Sequence, residues 1–231
     1  AVMPHYSYAR SDKKDAPRIS IGGRLVADLI HTAGANRVLT MALHAQQVHG
    51  FFSMPVDHLT ALPVLARHFR TRDLSKTVVV SPDFGNAKEA NQFARMLGVG
   101  MAAGSKRRQA DDKVVIDAIV GKVGGKDVII LDDEIATAGS VVELIDTVRR
   151  YHVNSISIAT THGLFTGKAV ERLNAQDDIV EIVATDTVPP PEGLERLTTV
   201  SVAPLFAEAV RRINCGESVS GLFSDEDTYT E

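Results

Sequence analysis

Short apolar runs rich in β-branched residues recur along the chain at 38–41, 77–80, 128–131, 156–159 and 179–184, and helical periodicity fills most of the intervals. Alternation of this kind predicts parallel strands joined by helical crossovers, an α/β fold. Three sets of apolar residues keep the i, i+3, i+4, i+7 spacing of one buried helix face. They are Val26, Leu29, Ile30 and Ala33; Ala90, Phe93, Ala94 and Leu97; and Val141, Leu144, Ile145 and Val148. Gly34 and Gly98 follow the first two sets, where a left-handed residue commonly ends a helix. The polar stretch 104–113 (GSKRRQADDK) breaks the pattern and is expected to be a mobile loop. The tail after Phe223, SDEDTYTE, has the composition of a disordered segment.

Composition narrows the class. At 231 residues the chain is long enough to bury a substantial core as one large or two small domains. A boundary is expected near Leu62 and Pro63. The single cysteine, Cys215, forms no internal disulfide, and no apolar run reaches the roughly 18 residues of a membrane span. The chain therefore reads as soluble and cytoplasmic, without a membrane partner. A formal charge of −4 without a basic patch argues against nucleic acid as a partner, while a few local cations suffice for a small anion. The opening AVMPHYSYAR carries no secretory pattern, and the sequence is expected to begin inside a longer protein.

The strongest local signal is VIILDDEIATAGSVVELI, residues 128–145. An apolar strand meets Asp132 and Asp133, small residues form a tight turn, and an amphipathic helix begins. Backbone N–H groups from Thr137 onward would face a phosphate, with the positive end of the helix dipole behind them. Carboxylates at the carboxyl end of a strand suit ribose hydroxyls, because they accept hydrogen bonds from vicinal OH groups. The alternative is an ordinary strand-to-helix turn with Thr137 as its N-cap.

Other clusters read less sharply alone. Arg10, Asp12, Lys13 and Lys14 follow an aromatic stretch and could hold a nucleotide phosphate, although such a run is also the usual make-up of a solvated face. His44 follows the apolar run 38–41, where a structural histidine is the common case. Asp83 follows 77–80 and could cap the next helix. Three adjacent cations in SKRR (105–108) repel one another, which makes little sense for stability and good sense over a polyphosphate.

Segment 128–145 resembles the phosphoribosyl-pyrophosphate-binding motif of type I phosphoribosyltransferases and of ribose-phosphate pyrophosphokinases. PHYSYARSDKKD (4–15), RVLTMALHAQQVHGFF (37–52), VVVSPDFGNAKEA (78–90), SKRR, ATTHGLFTG (159–167) and GESVSGLF (216–223) resemble segments of the second family, in its order. That resemblance implies two phosphoribosyltransferase-type, Rossmann-like domains with mainly parallel sheets, the first lacking part of its start. It divides the chain into 1–62, a sugar-phosphate-binding 63–205, and a segment 206–231 whose helix returns to the first domain. It implies transfer of the diphosphate of ATP to ribose 5-phosphate, with Mg2+ as cofactor, in a homo-oligomer built from dimers and reaching a hexamer.

Carried over residue by residue, the resemblance makes Lys106 and Arg108 catalytic, on a lid. Arg10, Ser11, Asp12 and His44 bind ATP, and His44 and Asp83 attend the metal. Asp132, Asp133, Ala136, Thr137, Ala138, Gly139 and Ser140 bind ribose 5-phosphate. The chain departs from the family at Ser11, where Gln is usual, and at Ala42 and Ala136, where Asp is usual. The two alanines remove carboxylates, so a catalytically silent regulatory homologue is the second reading. A phosphoribosyltransferase, which would need a base-binding hood, is the third.

Overall fold

A computed structural model describes residues 1–14, 16–109 and 113–223; the side chains at 106–109, 113–115, 117 and 223 are not part of that description. The chain divides into two compact units, Ala1–Ala61 and Leu62–Glu231. Among the described residues no helix is long and apolar enough to cross a membrane.

The first unit holds a three-stranded parallel sheet, β1 (Val2–Met3), β2 (Val38–Met41) and β3 (Val56–Leu59), in that order. Every residue of β2 is buried, as expected of a central parallel strand that reads as a continuous apolar run. The helix α1 (Gly22–Thr32) connects β1 to β2, and a 3-10 turn spans Gln46–Phe51. Tyr6, Leu43, Ala45 and Val48 form a small core, against which Val26, Ile30, Phe51 and Phe52 pack.

The buried face of α1 differs from the periodicity reading. Gly22, Gly23 and Ala27 are buried, whereas Leu29 is 58% exposed and Ala33 is also exposed. The two glycines decide this. A Cβ at Gly23 would stand 3.0 Å from the Tyr8 carbonyl oxygen, so the helix turns its bare backbone inward and swings Leu29 out.

The second unit is built on a seven-stranded sheet. In chain order its strands are β4 (Thr77–Ser81), β5 (Gly100–Gln109), β6 (Lys113–Val120), β7 (Asp127–Ile135), β8 (Ser155–Gly163), β9 (Ile179–Thr185) and β10 (Leu197–Val200). Their spatial order is β10-β9-β8-β7-β4-β5-β6, parallel throughout except for the antiparallel pair of β5 and β6. Among the described residues five helices accompany them: α2 (Leu62–Phe69), α3 (Ala87–Leu97), α4 (Gly139–Arg149), α5 (Ala169–Asn174) and α6 (Ala203–Cys215). The apolar sets of α3 and α4 are buried as their spacing requires. Gly98 closes α3 in the left-handed region at φ +68°.

The loop expected at 104–113 is instead an edge hairpin. Backbone pairing of β5 with β6 runs from Ala103↔Val120 to Gln109↔Lys113, and only 110–112 and the side chains named above lie outside the described residues. Beyond Ala103 the polar segment pairs with β6 alone, because the pairing of β5 with β4 ends at Ser81↔Ala103, and the β-branched run of β6 supplies its partner. Gly104 is required there, because a Cβ would meet the Pro82 carbonyl oxygen at 2.6 Å. The tail after Phe223 lies outside the described residues.

Candidate active site

The carboxyl ends of β4 and β7 are neighbours in the sheet, and there the acidic side chains gather. β4 is buried over its whole length and runs into Pro82 and Asp83. Asp83 Oδ1 accepts the N–H of Gly85 at 2.9 Å and that of Asn86 at 3.2 Å, which folds the chain into the start of α3. Asn86 Nδ2 in turn donates to the Leu131 carbonyl at 3.3 Å, tying that turn to β7. Asn86 had no signal in the sequence, since its partner is 45 positions away.

β7 does not end at its carboxylates. It stays paired with β8 through Asp132↔Thr160, Glu134↔His162 and Ile135↔Gly163, whereas its pairing with β4 stops at Ile130. Asp132, Asp133 and Glu134 are therefore half-buried strand residues on a stretch that β4 no longer flanks. Burial pushes the Asp132 carboxyl well above the usual aspartate range, and the charges of Asp133 and Asp83 push it the same way. Its Oδ1 accepts the Asp133 N–H at 3.0 Å. Neighbouring carboxylates held in this way favour a site that hydroxyl donors or a cation complete.

The turn beyond β7 also departs from the alternative reading that makes Thr137 the N-cap. α4 begins at Gly139, and its N-cap is Ala138, buried and left-handed at φ +59°. An alanine there costs about 1–3 kcal/mol of backbone strain, a cost met chiefly at functional sites. Among the described residues no side chain caps the helix. The first bond of α4 runs from the Val142 N–H to the Ala138 carbonyl at 3.0 Å, so the amides of Gly139, Ser140 and Val141 lie ahead of the helical ladder. Thr137 and Gly139 are exposed, and Ala136 and Ser140 half-buried. This is an open set of N–H donors at the positive end of a helix dipole, suited to a phosphate.

In the first unit, Arg10 and His44 are exposed and Asp12 is half-buried, its carboxylate accepting the Gln47 side-chain amide. Ser11 acts locally, fastening the start of α1. Its Oγ accepts the Gly22 N–H at 2.9 Å and its carbonyl accepts the Gly23 N–H at 3.0 Å. Ala42 sits at φ +43°. The turn that carries His44 is held by a residue the sequence did not flag, since His58 Nε2 accepts the Leu43 N–H at 2.7 Å.

That bond needs neutral His58. Burial, and then the charge of His49, push its pKa down to about 4. A folded-state value below the unfolded one means that the unfolded chain binds the proton more tightly, so stability falls as pH drops from about 6.5 toward 4. His58→Gln keeps an acceptor without titrating. Denaturation at pH 7 and pH 4.5 is expected to show the parent losing about 2 kcal/mol more than the variant over that interval. Equal losses would mean that His58 does not titrate as described.

Residues 109–224 match the family model of the phosphoribosyl synthetase-associated domain, and residues 1–34 that of the N-terminal domain of ribose phosphate pyrophosphokinase. The chain is 62% identical over 224 residues to the putative ribose-phosphate pyrophosphokinase of Streptomyces coelicolor, covering 96% of this chain and 71% of that protein. It is 51% identical to the ribose-phosphate pyrophosphokinase of Deinococcus radiodurans, with 97% and 72% covered. Among solved structures, the phosphoribosylpyrophosphate synthetase from Mycobacterium smegmatis superposes with a TM-score of 0.84 at 37% identity, over 93% of this chain and 71% of that one.

Proposed function

The chain belongs to the ribose-phosphate pyrophosphokinase family, and from that premise we propose that it moves the β,γ-diphosphate of ATP onto the C1 hydroxyl of ribose 5-phosphate, giving phosphoribosyl pyrophosphate and AMP. The C1 oxygen bonds to the β-phosphorus, the bond from that phosphorus to the bridging oxygen breaks and leaves that oxygen on AMP, and the hydroxyl proton passes to water. The observation that carries this reading is the uncapped start of α4 directly after the half-buried carboxylates of β7.

In the second unit, Asp132 and Asp133 accept the ribose hydroxyls, and Ala136, Thr137, Ala138, Gly139 and Ser140 offer backbone to the 5-phosphate. Arg10, Ser11, Asp12 and His44 in the first unit hold the nucleotide, Ser11 through the turn it fastens rather than through its hydroxyl. Lys106 and Arg108 stabilise the transferred diphosphate.

Magnesium fits the donors present. Among the described residues no three His, Cys, Asp or Glu side chains form a metal-holding group, and magnesium takes only one or two carboxylates with phosphate oxygens and water. In the second unit Asp83 would hold it; in the first unit His44 is proposed as a magnesium-associated residue, directly or through water. When bound, it neutralises phosphate charge as the diphosphate is transferred. Assembly into a homo-oligomer is proposed on the family's account.

Incubating the protein with ATP, magnesium and ribose 5-phosphate is expected to release AMP only when the sugar phosphate is present. Tight binding of both substrates without AMP would favour a silent regulatory subunit, the reading to which the missing carboxylates at Ala42 and Ala136 point.

A further inference from the structure

The turn that offers its amides at the start of α4 is gripped from the other side. Three successive carbonyls along it are taken by the chain that follows β8. The Ile135 carbonyl accepts the N–H groups of Leu164 and Phe165, both at 3.0 Å, and the Ala136 carbonyl accepts that of Thr166 at 2.8 Å. The Thr137 carbonyl accepts Nη1 of Arg172, from α5, at 2.8 Å.

In a planar trans peptide the carbonyl and the following N–H point in opposite directions. Fixing the carbonyls of Ala136 and Thr137 toward 164–172 therefore turns the N–H groups of Thr137 and Ala138 the other way. With Ala138 left-handed and Gly139 entering the helix, successive amides then line one concavity, the arrangement of an anion-binding nest. Ala138 carries a Cβ, so its positive φ is not a conformation the residue would keep unaided.

The gripping segment is itself tightly set. Phe165 is buried at φ +44°, and a Cβ at Gly163 would lie 2.3 Å from the Phe165 ring, so the segment needs glycine there. The Arg172 bond is the one member of the clamp made by a side chain, and Nη1 lies 3.8 Å from where a Cβ on Gly139 would stand, alongside the helix start.

We propose that Arg172 is a positioning residue for sugar-phosphate binding: by holding the Thr137 carbonyl it keeps the strained Thr137–Ala138 peptide in the orientation that presents its N–H to the 5-phosphate. The proposal rests on the assignment of this turn to ribose 5-phosphate. It also gives the segment ATTHGLFTG a role, since three of its residues complete the same clamp.

Calorimetric titration with ribose 5-phosphate and steady-state kinetics on the whole protein test it with three variants. Arg172→Met keeps the length of the side chain and removes the donor. It is expected to raise the dissociation constant for ribose 5-phosphate about tenfold, the loss of one hydrogen bond from a charged donor, with KM for ATP and the thermal midpoint nearly unchanged. Arg172→Lys supplies a single donor and is expected to bind close to the parent. Adding Ala138→Gly to Arg172→Met removes the penalty of the left-handed turn and is expected to recover part of the affinity.

Parent-like binding by Arg172→Met, or Arg172→Lys as weak as Arg172→Met, would overturn the clamp. A loss that Ala138→Gly leaves untouched would overturn it as well, and would put the guanidinium on the phosphate itself. If the parent protein binds no ribose 5-phosphate, the sugar-phosphate reading fails first and the clamp with it.

Discussion

Lys106→Ala is expected to lower the rate of AMP release about a hundredfold to a thousandfold, while the dissociation constant for ribose 5-phosphate stays within about twofold of the parent. Lys106 is proposed to meet charge that develops on the migrating diphosphate. An interaction made only in the transition state changes turnover without changing ground-state affinity. The backbone around it suits such a post: Lys106 lies on an edge hairpin, and the β5–β6 ladder shifts register between Ser105 and Lys106. Irregularities of that kind recur beside active sites. Single-turnover measurement with ATP, magnesium and ribose 5-phosphate reads the effect. Turnover equal to the parent's would remove Lys106 from the chemistry.

Asp132→Asn is expected to weaken ribose 5-phosphate binding about tenfold, since it replaces one of the two oxygens proposed to accept the ribose hydroxyls with an N–H donor. The same substitution should stabilise the ligand-free protein. The folded-state pKa of Asp132 is raised, so its contribution to stability is fully present below the ordinary aspartate range and is lost as pH rises through the raised value. Asparagine escapes that loss. Its advantage in thermal midpoint should thus be clear at pH 8 and vanish near pH 3. Ala136→Asp is expected to change affinity little, because the phosphate is offered backbone amides and the helix dipole rather than the side chain at 136. Calorimetry and thermal melts across pH settle both points. An Asp132→Asn variant that binds like the parent would take the ribose hydroxyls away from this carboxylate. An Ala136→Asp variant that binds far more tightly would mean that the natural site is degraded and would favour the regulatory reading.

The sequence by itself determined four of the seven strands of the second unit's sheet, β4, β7, β8 and β9, and the acidic and small residues at the carboxyl end of β7. β4 and residues 128–131 of β7 are continuous buried runs because a central parallel strand is covered on both faces, and α3 and α4 bury the residues their spacing names. The acidic pair followed by small residues was equally legible, since those residue types are the ones the proposed hydroxyl and phosphate site calls for.

Only the tertiary structure decided the rest. Which face of α1 turned inward depended on how closely Gly23 approaches the Tyr8 carbonyl, so Leu29 faces out despite its spacing. The polar stretch after Gly104 became a strand because β6 lay beside it, and pairing partners are not written in a segment's own composition. His58 lowers its pKa only when buried beneath the turn at Leu43. Ala138 holds a left-handed angle that its side chain disfavours, and Arg172 reaches that turn across 35 positions of chain. Periodicity records what a residue does with its near neighbours. Strain, desolvation and long-range hydrogen bonds depend on contacts that form only when distant segments are folded against one another, and the second unit's site is finished by contacts of that kind.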